Sequence, residues 1–87
     1  LINSYPNPFN PSTEIIYQLE HSGRVHLEVY NLQGQRLSTL VEEWQSAGEH
    51  SVQWDAQGLS SGLYFVRLAF ENSQSYWYAS HKVTLVK

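Results

Sequence analysis

At 87 residues the chain is long enough for one domain with a modest core, and it holds no cysteine to staple or ligate, so apolar burial has to carry the fold. A net charge of −3 with only five lysines and arginines leaves no basic face for a nucleic-acid backbone. No apolar run approaches the length of a membrane span.

The three prolines all lie between Tyr5 and Thr13, in Tyr5-Pro6-Asn7-Pro8-Phe9-Asn10-Pro11-Ser12-Thr13. Each fixes its own φ and drives the residue before it out of the α region, so this opening predicts a stiff extended lead-in. From Thr13 onward, period-2 patterning dominates. Thr13 to Leu19 places Ile15, Tyr17 and Leu19 on one face; Glu20 to Gly23 is turn chemistry. Val25, Leu27 and Val29 then alternate with His26, Glu28 and Tyr30, as a half-buried strand does. Asn31 to Gln35 is the next turn, followed by a more weakly alternating strand over Arg36 to Val41. Glu42 to Gln45 is where a helical turn competes, until Ala47-Gly48 ends it.

His50, Val52 and Trp54 share a face in the following strand. Leu63 to Glu71 is apolar on both faces, the pattern of a central strand packed on both sides. Asn72-Ser73-Gln74 predicts a hairpin turn, Ser75 to Ser80 the returning strand, and Lys82 to Lys87 a last short one. About seven strands with turns every eight to twelve residues predict an all-β, immunoglobulin-like sandwich of antiparallel strands, one domain over residues 1–87. Its expected core is Ile15, Tyr17, Val25, Leu27, Val29, Val52, Trp54, Tyr64, Val66 and Leu68.

Three passages together resemble a known family. They are the proline-rich opening, then Gly48 to Asp55 with Gly58 to Leu68 (Trp54-Asp55, a polar turn, and Gly62-Leu63-Tyr64 entering a strand), then the lysine-bracketed end Lys82-Val83-Thr84-Leu85-Val86-Lys87. In order and spacing they resemble the type A C-terminal sorting domain of type IX (Por) secretion cargo in Bacteroidetes and their relatives. The first two passages also resemble the immunoglobulin-like domain of flagellar hook-capping proteins; the third separates the two. The resemblance implies a non-catalytic address that takes a secreted parent through the periplasm and across the outer membrane to the cell surface. The implied partners are the outer-membrane type IX machinery, a sortase and the parent's catalytic domain, with no cofactor, nucleic acid or transmembrane segment. No basic-then-apolar leader opens the chain, so the expected leader belongs to a longer parent from which this module is excised.

By motif, the resemblance assigns signal recognition to Gly62, Tyr64, Lys82, Val83, Leu85 and Lys87. The expected mechanism is strand addition: a terminal strand at a sheet edge offers unpaired backbone groups, and its lysines deter wrong pairing. Such a strand adds few apolar groups, mainly Val83 and Leu85, so its removal is expected to disturb the fold little.

Plainer readings stand beside these. Trp54 and Tyr64 read as core aromatics, Gly34, Gly48 and Gly62 as turn formers, and Asp55 as a turn residue bonding the backbone of Gln57 or Gly58. His21, His26, His50 and His81 lack ligand spacing, and Ser60-Ser61 before Gly62 has no partnering base. A reading from another class is a carbohydrate-binding or structural accessory module of a secreted hydrolase, with Trp44, Tyr76, Trp77 and Tyr78 as an aromatic platform. Alternation puts Tyr76 and Tyr78 on one face and Trp77 on the other.

Overall fold

The computed structural model describes residues 2–87. Seven strands follow in chain order: β1 (Ile2–Tyr5), β2 (Ser12–Leu19), β3 (Gly23–Tyr30), β4 (Arg36–Gln45), β5 (Gly48–Asp55), β6 (Gly62–Glu71) and β7 (Tyr76–Leu85). They form a three-stranded sheet of order β1-β2-β5 and a four-stranded sheet of order β4-β3-β6-β7, every ladder antiparallel. The chain changes sheet between β2 and β3, between β4 and β5, and between β5 and β6. This is the immunoglobulin-like sandwich, with its fourth strand on the sheet of β3, β6 and β7.

Alternation decides which side chains meet between the sheets. Ile15, Tyr17 and Leu19 of β2 face Val25, Leu27 and Val29 of β3 and Tyr64, Val66, Leu68 and Phe70 of β6, all buried in one cluster. Gly23 is required by packing: a Cβ there would lie 2.4 Å from the Phe70 ring. Val52, expected in the core, is only half-buried, because β5 is an edge strand. Phe9, Ala56, Val83 and Leu85 complete the core instead.

Four elements differ from the sequence expectation. The opening is more than a lead-in: Ile2–Tyr5 pairs with β2, Ile2 opposite Tyr17 and Tyr5 opposite Glu14. No helical turn forms at Glu42 to Gln45; β4 continues through it, with Glu42 opposite His26 and Trp44 opposite Arg24. Its weak alternation has a cause in two register shifts, which leave Leu37 and Leu40 without direct partners. The two last strands are one, since nothing between Ser80 and Lys82 can turn the chain and β7 keeps unbroken register with β6. Lastly, β6 is covered on one face only: Phe65, Arg67 and Ala69 point outward and remain half-exposed.

The proline-rich segment fastens the end of β7. Phe9 N–H donates to the Thr84 carbonyl and Val86 N–H to the Phe9 carbonyl, both at 2.9 Å, forming an isolated parallel bridge. Asn7 serves as a substitute strand: its Nδ2 donates to the Lys82 carbonyl and its Oδ1 accepts from Thr84 N–H, each at 3.1 Å. Prolines cannot supply a donor ladder, so one backbone residue and one amide side chain do the pairing. The Phe9 ring drops into the core 5.3 Å from Trp54. The expected free edge at the terminal strand is therefore closed from Lys82 to Val86. The expectation that this strand matters little to the fold is also corrected, because Val83 and Leu85 are fully buried.

Candidate recognition surface

Gly62 and Tyr64 form a corner at the start of β6. Gly62 has φ +149°, a conformation L side chains rarely adopt, which lets the chain swing from the Ser60-Ser61 turn into the strand. Two residues on, Tyr64 is buried edge-on against Trp54 at 5.8 Å, and its hydroxyl donates to the Ser60 carbonyl at 2.6 Å. This is the tyrosine corner of immunoglobulin-like folds, which ties a strand to the connection before it. Tyr64→Phe should lower unfolding free energy by about 1 kcal/mol, the net worth of one hydrogen bond, because Ser60 is exposed and its carbonyl can bond water instead. Urea denaturation checks this, and an unchanged midpoint would remove the corner's role.

The terminal residues separate by orientation. Val83, opposite Tyr64, and Leu85, opposite Gly62, point into the core, whereas Lys82 is exposed opposite Phe65. Lys87 lies beyond the strand; its backbone N–H donates to Ser61 Oγ at 3.2 Å, so that serine holds the chain end in place. The six residues thus form one patch at one end of the sandwich, four as its frame and two as its charges.

The aromatics divide differently. Trp77 points inward and stacks on Phe70, centroids 5.1 Å apart. Tyr76 and Tyr78 are exposed on the outer face with their ring planes 58° apart, and Trp44 is exposed on β4 at the opposite edge of that sheet. The three exposed rings offer no common plane.

Two rows cross the outer face of the four-stranded sheet near Lys82. One runs Arg36, Tyr30, Phe65, Lys82, and the next runs Thr39, Glu28, Arg67, Ser80. Tyr30 Oη donates to Glu28 at 2.7 Å and Arg36 to the other carboxylate oxygen at 3.2 Å. The tyrosine hydrogen bond, with the arginine beside it, holds the Glu28 carboxyl below the usual carboxylate range. The same bond raises the Tyr30 hydroxyl. Sequence reasoning missed Arg67 here, and Asn7 and Phe9 at the edge; an apolar ring between prolines and polar residues was the available signal for Phe9.

The histidines are scattered. His81 Nε2 lies 2.9 Å from Ser4 Oγ where β1 meets β7, and burial pushes its pKa down. Asp55 accepts from Gln57 N–H at 2.9 Å, the turn bond expected of it. Among the described residues no three His, Asp or Glu side chains gather as metal ligands, and no helix is long and apolar enough to cross a membrane.

The fold and its framed terminal patch define an immunoglobulin-like module with a tyrosine corner and a fastened C-terminal strand. The chain belongs to the secretion system C-terminal sorting domain family, whose model matches residues 3–79. That family is a non-catalytic type IX secretion signal of Bacteroidetes, so the parent is a secreted or cell-surface protein and the module meets the type IX machinery. The matched region includes the opening, Trp54-Asp55 and Gly62 to Tyr64, and it ends before Lys82. No curated protein and no solved structure matches the chain.

Proposed function

We propose that this domain is the removable address of a longer exported parent. The parent folds in the periplasm, the outer-membrane type IX machinery reads the domain, and a surface sortase cuts it away, leaving the parent anchored or free. The domain itself catalyses nothing. The single observation supporting this is the family match over residues 3–79. We assign the reading of the signal to the folded terminal patch, with Gly62, Tyr64, Val83 and Leu85 holding the strand and Lys82 and Lys87 presenting its charges. The fastened edge favours recognition of this folded surface over strand addition at Lys82 to Val86.

The test fuses residues 1–87 to a reporter in a host with type IX secretion and measures surface and periplasmic fractions. The wild-type fusion should reach the surface, and K82S/K87S should accumulate in the periplasm. Exposed charges contribute no more than about 1 kcal/mol each to stability, so the double variant should unfold at nearly the wild-type midpoint. A wild-type fusion held in the periplasm would refute the address, and unimpaired export of K82S/K87S would refute the lysines' part in it.

A further inference from the structure

We propose that the outer face of the four-stranded sheet carries a binding site for an acidic sugar unit, centred on Arg67 and adjoining the terminal patch at Lys82. The site is a shallow cleft of about 330 Å³ whose walls include Tyr30, Leu32, Phe65, Arg67 and Ser80. Its central cation has a donor to spare. Arg67 Nε is buried and has no hydrogen-bond partner, and among the described residues its guanidinium enters no ion pair. The carboxylate directly across from it, Glu28, is instead occupied by Tyr30 and Arg36. A guanidinium with no hydrogen bond or ion pair among the described residues keeps its donors for an incoming acceptor, and a charged donor prefers an anionic one.

The surroundings specify the rest of the ligand. The Arg67 guanidinium carbon lies 4.2 Å from the centroid of the Tyr78 ring, a cation–π contact that helps hold the side chain in place. The adjoining row places Tyr30 and Phe65 side by side, with Arg36 at one end and Lys82 at the other. Across these two rows three cations meet one carboxylate in a chain whose net charge is −3, so the local field favours an anion against the average of the molecule. Aromatic rings flanked by hydroxyl and amide groups suit the apolar face and polar edge of a pyranose. An extended acidic peptide suits the cleft less. Both β3 and β6 have their backbone groups paired on each side, so this face offers side chains only and nothing for a strand to pair with.

The experiment titrates the purified domain with trigalacturonic acid, the matching neutral trigalactoside and a glutamate tripeptide. The Arg67 Nε–Hε resonance reports on the site. The acidic sugar should shift that resonance saturably, and the other two should not. R67Q should weaken binding about tenfold or more, as expected for a charge-assisted hydrogen bond. F65A should weaken it as well, and K82Q less. Thermal melts establish that each variant is folded, and Tyr78 ring shifts report the site where the Arg67 signal is gone. No saturable shift below about 10 mM, an affinity too weak to count as a site, would overturn the proposal. So would equal binding of the neutral sugar or the peptide, or unchanged affinity in both R67Q and F65A.

Discussion

Deleting residues 82–87 should destabilise the isolated domain by about 3–6 kcal/mol, from the burial of two aliphatic side chains at about 1.5–3 kcal/mol each. Val83 and Leu85 are those side chains, 0% and 1% exposed. The deletion also removes the partners of Gly62, Leu63, Tyr64 and Phe65 on β6 and both backbone bonds to Phe9. Against a total of roughly 5–15 kcal/mol for a typical domain, such a loss leaves little folded protein. Urea denaturation of the truncated domain measures it directly, and a midpoint near wild type would show that the terminal strand is dispensable. Export assays with this deletion would therefore confuse a lost signal with a lost fold. The charge-only variant K82S/K87S separates the two.

Phe9→Ala should cost about 3–5 kcal/mol, the usual range for emptying a buried aromatic site. The ring is 2% exposed and packs on Trp54, which in turn meets Tyr64, so the cavity opens beside the tyrosine corner. The backbone bonds from residue 9 to Thr84 and Val86 do not need the ring, but the ring holds the segment against the sheet. Hydrogen exchange should consequently accelerate at Val86 N–H more than at amides in the middle of β3. Asn7→Ala removes two exposed side-chain bonds and should cost about 1 kcal/mol or less. Equal effects of the two substitutions would mean that edge hydrogen bonding, and not burial of Phe9, fastens the strand.

The sequence alone determined the all-β class, the turns and most of the core. Period 2 assigns a face to every residue of β2 and β3 without reference to a partner, and Asn72 to Gln74 declares a hairpin through local chemistry. Family membership was equally legible, since motifs are strings. Partnership between distant segments was not. That Ile2–Tyr5 is a strand depends on the open edge of β2, which no local pattern reveals. That Val83 and Leu85 are core, and not a display strand, depends on a second sheet above them and on Phe9 sealing their edge. Phe65 and Arg67 looked like the covered face of a central strand, because apolarity on both sides does not say whether another layer exists. Only the tertiary structure decided these points, for a physical reason: burial and edge pairing are properties of two segments brought together, and a strand's own alternation records one of them at a time.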